Sequence, residues 1–234
     1  MKAIDLKTER DYLRYLSFNR PGNEMEELIN LIVTSETYFF RDYPQLSLLG
    51  EQVLPAIVRE KGEHKKLSIL CAGCSTGDEP YTLAIILREM LDNPDEWTLR
   101  IDALDINRNN LKKAREAVYT DHALRETPYL YRDRYFIREG ELNILDPDIK
   151  KMVGFMRTNI FSRKEMSTLF MYDICLCRNV LIYFDHESAG KVLEHLYEVM
   201  NPGAYIFLGS AESVGRQTNL FTMVRFSKSF VYQK

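Results

Sequence analysis

The chain has 234 residues, 45% of them hydrophobic and 12% aromatic, with a formal net charge of −3. This suits one large α/β domain with a real core and argues against a disordered chain. The charge balance gives no basic footprint for nucleic acid, no run of about 18 apolar residues exists to span a bilayer, and MKAIDLKTER lacks the apolar centre of a signal peptide. The four cysteines fall in two close pairs, Cys71/Cys74 and Cys175/Cys177, which is no secreted disulfide framework. A cytoplasmic protein is expected.

Two short helical patterns, near 5–17 and 23–33, are split by Arg20-Pro21-Gly22. Residues 34–44, TSETYFFRDYP, form an aromatic-rich connector in which Phe39-Phe40 reads as core. Thr37 and Arg41 are four apart and would share a face if helical; a helix cap and a solvated charge is the plainer reading. A helix is predicted around 46–61.

Residues 67–91, LSILCAGCSTGDEPYTLAIILREML, carry the most information. The apolar run 67–72 reads as a buried strand, a small-residue loop follows at 73–77, and a helix opens with Asp78-Glu79-Pro80. Strand, glycine turn and helix make the first unit of a nucleotide-binding sheet, whose ligand sits over the strand's carboxyl end. A dinucleotide pyrophosphate wants bare amides and a positive helix end, and Asp78-Glu79 would repel it. A cofactor with hydroxyls, an ammonium and a sulfonium tolerates those carboxylates. S-adenosylmethionine therefore fits better than NAD, and no full G-x-G-x-x-G is present.

Further along, a strand is expected at 99–104, a helix at 109–118, and strands at 135–138 and 155–158 flanking a small insertion with Gly140 and Pro147. Residues 172–177 read as a fully apolar strand, 187–200 as an amphipathic helix, 201–203 as a turn, 204–208 as a strand, and 223–232 as one or two antiparallel strands. The alternation implies an α/β, Rossmann-like, mostly parallel sheet with an antiparallel C-terminal strand and helices on both faces.

Asp105, just past the second strand, either accepts ribose hydroxyls or caps the next helix. Arg178 and Asn179 end the fourth strand in CRNVLIYFD, where polar groups are costly unless paired; they serve the crevice or form a structural ion pair. Tyr183 is either core or a site hydroxyl needing a partner. Cys71-x-x-Cys74 has a zinc or redox spacing, but the second pair does not complete a four-ligand set. The four histidines share no ligand spacing, His195 reads as a surface or packing residue, and no Ser-His-Asp arrangement is evident.

TSETYFFRD, AGCSTGDEPYTLA, LDIN, TNIF at 158–161, CRNVLIYFD and GSAES at 209–213 stand in the order and spacing of the CheR-type chemotaxis receptor protein-glutamate O-methyltransferases. The chain resembles that family from residue 34 to about 232. The resemblance implies a class I S-adenosylmethionine-dependent methyltransferase that esterifies glutamates on receptor cytoplasmic helices, with a small β-subdomain insertion near 135–158 and a domain at 34–234. By the same resemblance, Ser35, Thr37, Arg41, Gly73, Glu79, Asp105, Asn159, Ile160, Arg178 and Asn179 would bind cofactor. Tyr183 would lie close to the transferred methyl group, Arg41 is expected to orient the substrate carboxylate or the cofactor, and no metal is expected. The family's helical N-terminal domain is shortened here to residues 1–33, where Lys7, Arg10 and Arg14 could give a reduced basic face. Ser35 stands where several relatives have asparagine. The compact Arg138-Glu139-Gly140-Glu141 turn is expected not to grip a receptor tether. A monomer is expected, without nucleic acid or membrane insertion. The competing readings are a methyltransferase for another carboxylate, a catalytically silent cofactor-binding module, and a dehydrogenase.

Overall fold

Two apolar runs, β1 (Lys66–Ala72) and β7 (Tyr172–Cys177), lie side by side in the middle of a seven-stranded sheet in the computed structural model. The structure describes residues 8–19, 22–32, 36–62, 64–215, 218–226 and 229–234. Alternate residues of each run enter opposite cores: Leu67, Ile69 and Cys71 face one side with Ile174 and Leu176, while Leu70 and Ala72 face the other with Cys175 and Cys177. A strand buried on both faces has no polar side to show water, which is why these segments read as near-continuous apolar runs.

Helices α1 (Glu9–Asn19) and α2 (Gly22–Ile32) precede the connector. A longer helical stretch then runs through α3 (Tyr43–Leu48), one π turn at Leu49–Val53, and α4 (Leu54–Lys61). Pro55 has no N–H to give the helical ladder, and a widened turn just ahead of it absorbs the interruption. After β1 come α5 (Asp78–Met90), β2 (Thr98–Asp105) and α6 (Arg108–Glu116). Next are β3 (Val118–Thr120), α7 (Tyr129–Tyr135), β4 (Phe136–Glu139), β5 (Leu142–Leu145), α8 (Pro147–Lys151) and β6 (Val153–Arg157). The chain continues through α9 (Arg163–Met166), β7, α10 (His186–Glu198), β8 (Met200–Leu208), β9 (Thr222–Phe226) and β10 (Ser229–Gln233).

The sheet order is β6-β2-β1-β7-β8-β10-β9. Strands β6, β2, β1, β7 and β8 run parallel, and β10 is inserted antiparallel to both of its neighbours. Helix α5 contributes Tyr81, Leu83 and Leu87 to one core, and α10 contributes Val192, Leu193 and Leu196 to the other. The mostly parallel class I methyltransferase sheet with one reversed C-terminal strand, expected from the alternation and the resemblance, is the architecture found. The order reverses between β1 and β7, so the crevice beyond their carboxyl ends is where a ligand site belongs.

Two boundaries differ from the expectation. The insertion placed near 135–158 is a three-stranded antiparallel sheet, β3-β5-β4, spanning 118–145. The strand expected at 155–158 is instead β6, the parallel edge of the main sheet. The turn at 201–203 lies inside β8. Tyr172 pairs with Met200 and Ile174 with Tyr205, so residues 201–204 bulge opposite Asp173 alone, with Gly203 at φ +79°. Among the described residues no helix is long and apolar enough to cross a membrane.

Candidate active site

Residues 36–42 of the connector are not helical. Phe40 and Asp42 both have φ +58°, a left-handed conformation that costs about 1–2 kcal/mol for a residue with a Cβ. Phe39 offsets that cost: it is fully buried, edge-on to Tyr119 and Phe136 with centroids 4.8 and 5.1 Å away. Burying such a ring contributes about 1.5–3 kcal/mol. The Phe40 N–H donates to Thr82 Oγ1 of α5 at 3.1 Å, and Arg41 Nη1 donates to the Glu36 carbonyl at 3.1 Å. Thr37 and Arg41 therefore reach one cavity through a tight turn rather than along a helical face. The expectations for Ser35 and Lys7 fall outside the described residues.

Beyond β1, Gly73 has φ +81°, and a Cβ there would come 2.4 Å from Val180 Cγ2. Only glycine lets the two loops meet this closely. The N–H groups of Gly73 and Cys74 donate to the Leu104 carbonyl, both at 2.8 Å. Asp105 receives the N–H of Ser75 at 2.7 Å and of Asn107 at 2.8 Å. Helix α6 is capped by Asn107, whose side chain accepts from the N–H groups of Asn109 and Asn110. Asp105 is thus free of the capping role, and burial raises its pKa while the backbone donors oppose that rise.

Arg178 joins three pieces of chain. Its Nη1 donates to Glu79 at 3.0 Å, and its Nη2 donates to the Arg41 carbonyl at 2.7 Å and to Asp42 at 3.0 Å. The guanidinium is 3% exposed, and its Nε has no hydrogen-bond partner among the described residues. Burial pushes the Glu79 carboxyl up and Arg178 pulls it back. The ion pair left open as an alternative for Arg178 is present, and it fixes both Glu79 and the connector at the crevice. At the start of α5, Asp78 is buried, accepts from Thr76 Oγ1 at 2.6 Å, and has its pKa pushed up to about 6 by burial.

Asn159 Oδ1 accepts from the Phe161 N–H at 3.0 Å, and the buried Ile160 presents its carbonyl 3.1 Å from His195 Nδ1. His195 is accordingly a packing residue inside α10. Asn179 is left-handed, at φ +58°. Tyr183 ends a single turn, Leu181–Tyr183, and is 63% exposed, so it is no core residue.

One cavity of about 470 Å³ gathers these groups. Its wall includes Thr37, Arg41, Gly73, Glu79, Asp105, Asn159, Ile160, Arg178, Asn179 and Tyr183, every candidate except Ser35. The wall also contains Glu36, Tyr38, Ser75, Thr82, Ile106, Thr158, Val180 and Ile182, which sequence reasoning had not put there as site residues. Several of these sit beside predicted positions, so adjacency was the available signal. Asp42, beside the predicted Arg41, pairs with Arg178, a contact that adjacency in the chain does not reveal. Among the described residues no group of three or more His, Cys, Asp or Glu is placed to hold a metal ion. The four cysteines are unpaired and buried, and burial drives all four thiols up in pKa.

A family model described as the CheR methyltransferase SAM-binding domain matches residues 35–230. The chain belongs to the CheR methyltransferase family. It is an S-adenosylmethionine-dependent methyltransferase. A relative named chemotaxis protein methyltransferase 2, from Vibrio cholerae serotype O1, is 37% identical over 228 residues, covering 96% of this chain and 78% of its own. A chemotaxis protein methyltransferase of Borreliella burgdorferi is 30% identical over 225 residues, covering 94% of this chain and 79% of its own. Among solved structures, magnesium protoporphyrin IX methyltransferase of Synechocystis with bound SAM is 14% identical, with a TM-score of 0.40 over 98% of this chain and 96% of that one.

Proposed function

We propose that this CheR-family chain methylates glutamate side chains on the cytoplasmic helices of chemotaxis receptors. The observation that carries the reading is a single crevice in which buried acids, a braced arginine and an exposed tyrosine meet. The donor set suits S-adenosylmethionine: Glu79 and Asp105 are acceptors for an ammonium and for ribose hydroxyls, and Ile160 offers an apolar surface to a base. Asn159, Asn179, Thr37 and Gly73 complete the binding wall, and Arg178 holds Glu79 in place. When bound, S-adenosylmethionine supplies a methyl group on a sulfonium, which needs only a nucleophile in line.

A glutamate with a pKa of about 4.3 is already ionised at neutral pH, so no general base is required. This agrees with the burial of every cysteine and with His195 packing inside its helix. The chain's task is then positioning and exclusion of water. Arg41 orients the entering carboxylate from the connector, while Tyr183, beside Ile182 and Phe184 at the cavity, shapes the methyl path. A tighter arginine clamp would stabilise the ground state and slow the reaction; among the described residues Arg41 is held by the Glu36 carbonyl and lies 5.6 Å from the centre of the Tyr38 ring.

The test is methyl transfer from labelled S-adenosylmethionine to receptor cytoplasmic fragments, with small carboxylic acids offered in parallel. Label released as methanol by mild base, from the receptor arm alone, supports glutamate esters on receptors. Transfer only to small acids would replace the substrate class. Arg41→Ala is expected to lower kcat/KM by about tenfold or more, equivalent to about 1.4 kcal/mol; full activity would remove Arg41 from the mechanism.

A further inference from the structure

Glu212, in the loop after β8, spends its whole carboxylate on main-chain amides. Its Oε2 accepts from Gly209 at 2.7 Å and Asn179 at 2.8 Å, and its Oε1 accepts from Val180 at 2.9 Å and Ile182 at 3.2 Å. An ionised carboxylate offers about four acceptor positions, and here backbone fills them all. Three of the four donors belong to the loop that follows β7. Asn179, Val180, Ile182 and Tyr183 of that loop line the cavity, and Glu212 does not.

The surroundings are built for this carboxylate. A Cβ on Gly209 would sit 2.7 Å from Glu212 Oε2 and 2.9 Å from the Asn179 nitrogen, so the loops after β7 and β8 approach as closely as glycine allows. The Glu212 N–H donates back to the Gly209 carbonyl at 2.9 Å, which closes the turn that aims the side chain. Asn179 is held in a left-handed conformation that an asparagine tolerates but does not prefer. Its N–H and that of Val180 are each tied to Glu212.

We infer that Glu212 is a positioning residue for methyl transfer, setting the shape of the loop that carries Asn179 and Tyr183. The inference rests on the methyltransferase reading above. Charge matters to it, because hydrogen bonds to an ionised acceptor are roughly twice as strong as neutral ones. Glutamine keeps the shape but replaces one oxygen by an NH2 that would face N–H donors.

The experiment compares wild type, Glu212→Gln, Tyr183→Ala and the double variant, measuring kcat and KM on receptor fragments and the S-adenosylhomocysteine Kd by calorimetry. Glu212→Gln is expected to lower kcat by about tenfold or more and to change Kd by much less. Tyr183→Ala should then cost little further in that background, since residues acting as one unit are not additive. Wild-type kcat in Glu212→Gln overturns the inference. So does a loss that adds in full to that of Tyr183→Ala, because Glu212 would then act elsewhere. If Glu212→Gln does not fold, Gly209→Ala, which presses on the same carboxylate, takes its place in the cycle. Loss of cooperative unfolding in both would make the node purely structural and also overturn the inference. A wild type that methylates no receptor fragment fells the functional reading first, and that failure is visible without any variant.

Discussion

A buried charge stands near each end of strand β7, Asp173 inside it and Arg178 just beyond it, and the two are treated differently. At the amino end, Asp173 accepts from Lys61, from the Asn201 side chain at 2.6 Å, and from the Ser68 N–H and hydroxyl at 3.0 Å each. Every acceptor position is used, and the bulge at 201–204 exists within reach of it. At the carboxyl end, Arg178 pairs with Glu79, Asp42 and a carbonyl, and its buried Nε has no partner among the described residues. One network ties the helical segment before β1 to the sheet; the other ties the connector and α5 together at the cavity wall. On the function proposed above, the difference separates stability from function across a single strand of six residues.

The strongest test of that division is Asp173→Ala. Stability should fall by about 3 kcal/mol, the low end for a broken buried pair, because Lys61 can reach water. The S-adenosylhomocysteine Kd of the folded fraction should not move, and a parallel loss of affinity would break the comparison. Asp78→Asn is expected to come next, with opposite sign. The Asp78 carboxyl is raised to about 6 in the folded state, so it binds its proton more tightly than the unfolded chain does. That contribution is present at low pH and is lost as pH rises through about 6. The asparagine variant should gain at most about 3 kcal/mol over wild type at pH 8 and almost nothing at pH 4. Thermal melts across that range would check it, and a pH-independent difference would show that Asp78 does not titrate there. Asp173 runs the other way: burial opposes its charge, but its donors lower its pKa overall, so its share of stability is lost only as pH falls through the acid range. The smallest effect, on affinity, is expected for Asp105→Ala, which should weaken S-adenosylhomocysteine by about tenfold, or 1.4 kcal/mol, together with a lower melting temperature because the Ser75 and Asn107 amides lose their acceptor. Unchanged affinity would take Asp105 out of the binding wall.

Much of this was legible in the chain. The strand at 172–177 was readable to the residue because both faces are buried, and Asp78-Glu79 marked the helix start while arguing against a pyrophosphate. The small sheet was misplaced because β3 has three residues, too few for a period of two to register. Strand β6 is an edge with no fully buried residue, so its pattern did not distinguish it from an insertion. The sequence Asn201-Pro202-Gly203 does punctuate the chain, but as a bulge within one strand rather than a break between elements. Asp42 and Glu212 lie inside two of the motifs, TSETYFFRD and GSAES, but neither motif shows what they touch. One meets its partner 136 positions away, and the other recognises backbone, which every sequence has.

The four buried thiols have a practical consequence. Cys71, Cys175 and Cys177 lie in the two central strands and Cys74 in the loop just after β1; the three strand thiols are shielded from alkylation while those strands stay paired, since only an exposed thiolate reacts. The chain therefore carries a built-in clock: the rate at which an excess of iodoacetamide is consumed under native conditions counts openings of the sheet's centre. Ligand binding should slow that clock.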